Sequence, residues 1–211
     1  MERRVEIPPR VLIAVPTYEN IKPETFKSIY ELERGDRDHV FSFVKGYTVA
    51  DARNKIAQAS MKTAADYVLM VDSDVILPPD AVSNMIEHEV GVCLGYYVHR
   101  HDRADYDGTT NLCKLGETNY TNQYKAHEFR DMERDGYTKV QIHGGGLGCA
   151  LIKSDIFEVL HFPWFKWTNY RSGSVLSEDL WFCECCKNAG VPIYADVRVG
   201  CGHVVSHIEF C

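Results

Sequence analysis

The sequence predicts an α/β fold, a mostly parallel sheet flanked by helices. Two observations carry this. Short apolar runs alternate with segments of helical period through roughly the first hundred residues, the signature of strand–helix–strand units. One of those runs, "YVLMVDSDVILPPD" (67–80), ends in two aspartates one residue apart. Polar residues at a strand end mark the carboxyl edge of such a sheet, where ligands bind.

Each element follows in order. "VLIAVPTYEN", closed by Pro16, reads as a buried first strand entering a loop, and "PETFKSIYELE" puts Phe26, Ile29, Tyr30 and Glu33 at helical spacing. "VFSFVKG" (40–46) is a second strand stopped by Gly46. "TVADARNKIAQASMKTAA" is a helix with Thr48 as N-cap and Asp51 in the capping-box position. "YVLMVDSDV" is a third strand, "PPDAVSNMIEHE" a third helix with proline near its first turn, and "GVCLGYYV" a fourth strand. From His99 to about Thr138 the chain turns polar, and it is expected to form a long mobile connection that helps select a ligand. "HGGGLGCALIKSDIFEVL" restores apolar content, "SEDLWFCECCKNAG" reads as a helix ended by Gly190, and "PIYADVRVGCGHV" supplies late strands. No repeat interrupts the pattern, so one domain over 1–211 is expected.

Bulk properties narrow the function classes. With 211 residues, 45% hydrophobic and 25% charged, the chain suits one soluble globular domain. A net charge of -7 argues against a protein that coats nucleic acid, although a local basic groove is compatible with it. No stretch reaches the length of a transmembrane span and "MERRVEIPPR" lacks an apolar signal core, which predicts a cytoplasmic protein with its eight cysteines reduced. "NYT" at Asn119 then reads as a chance sequon. "CECC" (183–186) lacks a second pair at zinc-finger spacing and reads as buried thiols. "HRHDRADYD", with His99, His101 and Asp102, reads as a solvated loop.

The paired aspartates raise the chemical question. In an extended segment Asp72 and Asp74 share a face, and two adjacent carboxylates call for a cation. Oxygen ligands suit Mg²⁺ or Mn²⁺, which also bind phosphates. The alternative is a strand end that caps a turn.

In "VLIAVPTYEN", "ADARNKIAQAS", "YVLMVDSDVILPPDAV", "GGGLGCALIKSDIF", "SEDLWFCECCKNAG" and "GCGHV", taken in order, the chain resembles the GT-A-type glycosyltransferases of the family 2-like group. The likeness runs over nearly the whole chain. It implies a Rossmann-like mixed sheet, with a nucleotide-sugar half at about 1–98 and an acceptor and catalytic half at about 99–211. It implies Mn²⁺ (or Mg²⁺) on Asp72, Asp74 and His203. Imidazole suits Mn²⁺ better, and the neighbouring glycines permit close approach to a ligand. It further implies a nucleotide-sugar site, with a UDP-sugar as expected donor, at Pro16, Thr17, Glu19, Arg53, Asn54, Asp72, Ser73, Gly145 and Gly146. Arg53 would reach diphosphate oxygens.

"SEDLW" matches the acidic motif of inverting members, with Asp179 as general base beside Glu178. The alternative is an acidic first helical turn capped by Ser177. Aromatic Trp164, Trp167 and Trp181 would form an acceptor platform, or a core edge. The Gln-x-x-Arg-Trp motif of processive synthases is missing, which favours transfer of a single sugar. The acceptor stays open: a protein, a glycan, a lipid head group or a modified base. Two rivals are a non-catalytic binding relative and a nucleotidyltransferase.

Overall fold

The computed structural model describes residues 8–99, 108–116, 120–169 and 175–204. In chain order the elements are β1 (Val11–Thr17), α1 (Pro23–Tyr30), β2 (His39–Lys45), α2 (Val49–Lys62), β3 (Tyr67–Val71), β4 (Val75–Ile76) and α3 (Ala81–Ile86). Then come β5 (Val92–Tyr96), β6 (Thr109–Lys114), β7 (Gln123–Lys125), α4 (Ala126–Arg134), β8 (Lys139–Gly145), β9 (Cys149–Lys153) and α5 (Ile156–Val159). The last are β10 (Thr168–Asn169), β11 (Val175–Leu176), α6 (Glu178–Asn188), β12 (Ile193–Gly200) and β13 (Gly202–His203).

Among the described residues one nine-stranded sheet runs β2-β1-β3-β9-β5-β12-β8-β6-β7. β2, β1 and β3 pair in parallel, as do β5 and β12, while β9 is inserted antiparallel between β3 and β5. Helices cover both faces, so β1 and β3 are apolar without alternation and wholly buried. The pleat divides them. Leu12 and Ala14 join one core cluster with Ile56 of α2, Phe129 of α4 and Phe182 of α6. Val11, Ile13 and Val15 join another with Ile29 of α1 and Met85 of α3. Thr48 caps α2 by accepting the Asp51 amide at 3.2 Å.

The polar stretch after His99 is corrected where it is described. It supplies β6, β7 and α4, with Leu112 and Phe129 fully buried. Its polar residues are buried because they are bonded: Thr110 Oγ1 donates to the Tyr124 carbonyl at 3.0 Å. Residues 100–107 and 117–119, including His101, Asp102 and Asn119, lie outside the described residues. Among the described residues no helix is long and apolar enough to cross a membrane.

Candidate active site

The site lies at the carboxyl ends of β3 and β5. β3 stops at Val71, and a turn follows in which the Val75 amide donates to the Asp72 carbonyl at 3.2 Å. The strand alternation that would point Asp72 and Asp74 the same way therefore does not extend that far, and the two carboxylates find different partners. Asp72 Oδ1 takes Arg53 Nη2 at 2.8 Å, while Asp74 Oδ1 stands 3.7 Å from His203 Nε2. Backbone pairing delivers that histidine: β13 lies antiparallel on β4 with His203 opposite Val75, and the Val204 amide donates to the Asp74 carbonyl at 2.7 Å. The ring sits with Nδ1 3.3 Å from the Val98 carbonyl and meets the Tyr97 ring in a T-shaped contact, centroids 5.2 Å apart.

Asp74 and His203 stand close enough to meet one cation after a small adjustment: adjacent ligands about 2.1 Å from one octahedral ion stand about 3.0 Å apart, against 3.7 Å here. An imidazole and a carboxylate suit Mn²⁺. The expected triad is not assembled, because Asp72 is turned to Arg53. Among the described residues no three of His, Cys, Asp and Glu are grouped to hold a metal ion. The glycines of "GCGHV" serve backbone packing rather than ligand approach: a Cβ on Gly202 would meet Ile76, and one on Gly200 would meet Tyr96.

Arg53 departs furthest from expectation. The side chain is 2% exposed, so it is not open to a diphosphate; Nη1 donates to Glu178 Oε1 at 2.6 Å and Nη2 to Asp72. Burial alone would lower its pKa, but Asp72, Asp179 and Glu178 outweigh that and hold it raised. Burial pushes the Glu178 carboxyl above its usual range, with Asp179 adding to the push and Arg53 opposing it. Three carboxylates thus surround one guanidinium. Asn54 is also corrected, for it clamps the chain at Phe165: Nδ2 donates to the Phe165 carbonyl at 2.7 Å, and Oδ1 accepts its amide at 3.2 Å.

At the start of α6, Asp179 is half-buried with one edge occupied. Its Oδ1 accepts the Ser177 hydroxyl and the Leu180 amide, so Ser177 donates to the carboxylate instead of capping the helix. Its Oδ2 faces Gly146, where an added Cβ would lie 3.6 Å from it and 2.8 Å from the Tyr97 hydroxyl. Only a glycine keeps that approach open. Gly145 is required for a different reason, close packing on Asn111 and Leu112 of β6.

Asp72, Asp74, Asp179, Gly146 and His203 line one cleft of about 390 Å³. Sequence reasoning missed much of its wall: Tyr97, Asn111, Cys113, Tyr120 and Gln123. Asn111 is its bracket. It accepts the Tyr97 amide at 2.9 Å and donates to the Gly146 carbonyl at 2.9 Å, tying β5, β6 and the glycine turn together. Burial pushes the Tyr97 phenol up, with Asp72 and Asp179 adding to the effect.

The first-strand loop stands beside this cleft and does not line it. Pro16 and Thr17 are buried at the end of β1, Thr17 Oγ1 donates to the Asn20 carbonyl at 3.0 Å, and Glu19 is exposed. Ser73 is half-buried, and its carbonyl accepts the Lys22 amide at 2.9 Å.

The tryptophan platform is not formed. Trp164 belongs to the core and donates Nε1 to the Phe157 carbonyl at 2.9 Å. Trp181, two residues and so about 200° around the helix from Asp179, lines a separate apolar cleft with Phe162 and Pro163. Trp167 is exposed and outside the Asp72–Asp179 cleft. Cys183 and Cys186 are buried, as expected, and burial pushes both thiols up, whereas Cys185 is only half-buried.

No family model matches the chain, and no curated protein matches it. Solved structures do. A197 from STIV is similar with a TM-score of 0.62 at 18% identity, over 93% of this chain and 86% of that one. GalNAc-T7, solved with UDP, GalNAc and Mn²⁺, is similar with a TM-score of 0.55 at 9% identity, over 95% of this chain. The match covers 44% of that longer chain. At such identities the likeness concerns architecture, and it establishes that this chain has a GT-A-like α/β fold.

Proposed function

We propose that the protein is a metal-dependent glycosyltransferase that moves one sugar from a nucleotide-diphosphate donor, a UDP-sugar, to an acceptor hydroxyl with inversion. The supporting observation is the cleft itself. On a GT-A-like sheet, the carboxyl ends of β3 and β5 bring the Asp74–His203 pair and the open edge of Asp179 to one hollow. The solved neighbour with UDP and Mn²⁺ agrees with this reading at the level of fold.

Asp74 and His203, joined by an oxygen of Asp72, would hold a Mn²⁺ ion, whose charge would stabilise the leaving diphosphate. Pro16, Thr17, Glu19 and Ser73, at the neighbouring strand end, would take the nucleoside. Gly146 would let the sugar approach the backbone closely. Asp179 would take the acceptor proton through Oδ2 as the acceptor oxygen bonds the anomeric carbon and the bond to the diphosphate breaks. Oδ1, held by Ser177 and Leu180, fixes the carboxylate in place. Arg53 is a positioning residue that secures Asp72 and Glu178. Tyr120, Cys113 and Gln123 would meet the acceptor.

Incubation with a panel of nucleotide sugars, with Mn²⁺ or with chelator, tests the reading. UDP release that requires the metal is expected. Release of pyrophosphate would indicate nucleotidyl transfer. Nucleotide binding with no turnover for any donor, in the presence of varied acceptors, would leave a binding protein.

A further inference from the structure

Among the described residues β2 is one of the two terminal strands of the sheet, and its register with β1 runs without a bulge from His39 to Lys45. Edge strands are ordinarily protected by proline, bulges or central charges. The segment 39–44 has none of these, and its charged residue, Lys45, stands at the end. Phe41 and Phe43 are 40% and 45% exposed and pack edge to face at 4.4 Å. On the same side Phe26 and Tyr30 of α1 are exposed as well.

Hydrogen bonds at both ends of β2 fix which residues face outward. The Asp38 carbonyl accepts from Val11 and the Gly46 amide donates to Thr17, so even-numbered residues address β1. Residues 39, 41, 43 and 45 therefore turn their amides and carbonyls to the open edge. The strand is also a palindrome: Val40-Phe41-Ser42-Phe43-Val44 reads the same in both directions.

We propose that two copies of this chain pair antiparallel along β2 about a two-fold axis at Ser42. In that register Phe41 stands opposite Phe43 of the second copy, Val40 opposite Val44, and His39 opposite Lys45. Every pair that must exchange two backbone hydrogen bonds, 41 with 43 and 39 with 45, joins residues that face outward. Any register offset by one residue would oppose outward and inward groups. The interface is isologous, as a two-fold requires, and aromatic pairs cross it. Because the second sheet runs the opposite way, the two clefts open at opposite edges and act independently. The dimer thus does not depend on the proposed function.

Light scattering on the full chain at rising micromolar concentration should give twice the mass of one chain. Phe41→Lys with Phe43→Lys should give a single-chain mass while the far-ultraviolet circular dichroism stays that of the folded chain, and the melting temperature should lose the concentration dependence expected of the wild-type dimer. Ser42→Cys should crosslink to itself on mild oxidation, since non-hydrogen-bonded antiparallel partners stand about 4.5 Å apart at Cα, within disulfide reach. The wild-type chain under the same oxidation controls for native cysteines. A wild-type protein that stays single at all concentrations overturns the proposal. So does a dimer that the lysine pair leaves intact or Ser42→Cys fails to crosslink. So too would a single chain that dimerises only after residues 1–7 are deleted, because its own N-terminal segment would then cover the edge.

Discussion

Two arginines sit among carboxylates in this molecule, Arg53 buried and Arg198 half-buried, and their surroundings differ. Arg198 on β12 meets Asp196 through Nη2 at 2.7 Å and Nε at 3.1 Å, and Glu87 through Nη1 at 2.6 Å. His88 Nε2 closes on the same Asp196 at 2.7 Å. Asp196 is fully buried, and its carboxylate is held from several sides. This cluster, with Glu87 exposed at its rim, faces no cleft of the site and fastens the segment after α3 to the sheet. Arg53 instead gives one hydrogen bond each to Asp72 and Glu178, has Asp179 nearby, and leaves Nε without a partner. Negative charge exceeds positive there, and the surplus faces a cleft. Like ingredients thus serve packing in one place and are poised for a cationic ligand in the other.

Substitutions sharpen the contrast. Asp179→Asn keeps the shape but cannot accept a proton, so transfer should fall by roughly two to four orders of magnitude with donor affinity and melting temperature nearly unchanged. Asp196→Asn should do the reverse. Breaking a buried pair costs on the order of 3 kcal/mol, so the variant should melt early while activity per folded molecule persists. Melting curves and initial rates on both variants check the pair. If Asp179→Asn melts early yet transfers normally, the carboxylate only fastens the start of α6.

The smallest expected effect is a pH dependence. Burial raises the Glu178 carboxyl, so the folded state binds its proton more tightly than the unfolded state. The stability this contributes is complete below about 4.3, the ordinary glutamate value, and is lost as pH rises through the folded value. Glu178→Gln removes that dependence. The melting temperature of the wild type should therefore fall relative to the variant as pH rises from acid toward neutrality. A difference that stays constant across that range would show that Glu178 titrates normally.

Much of the fold was legible because β1 and β3 are buried on both faces and read as unbroken apolar runs. The Thr48–Asp51 cap was legible because its chemistry is local. β6 was hidden: its Thr110 and Asn111 look like loop residues, and only hydrogen bonds to distant chain make them interior. The partners of Arg53 were hidden for a like reason, since Glu178 is 125 residues away. "DARN" reads equally well as a ligand for phosphate or for carboxylates. Strand alternation misled at Asp72 and Asp74 because it assumed a strand that ends at Val71. Trp164 misled because an aromatic-rich segment reads the same whether it faces a sugar or the core.

On the proposed function, a cation at Asp74 and His203 would join the protein to a nucleotide diphosphate. Titration calorimetry of UDP into the wild type and Asp74→Asn, each with Mn²⁺ and with chelator, tests it most directly. Asp74→Asn removes the proposed metal ligand while leaving the Arg53–Asp72–Glu178 contacts in place. UDP should bind the wild type at least tenfold more tightly with Mn²⁺ than without, a coupling of about 1.4 kcal/mol. Asp74→Asn should bind at the weaker level in both conditions. Equal affinity of the wild type with metal and with chelator would contradict the account.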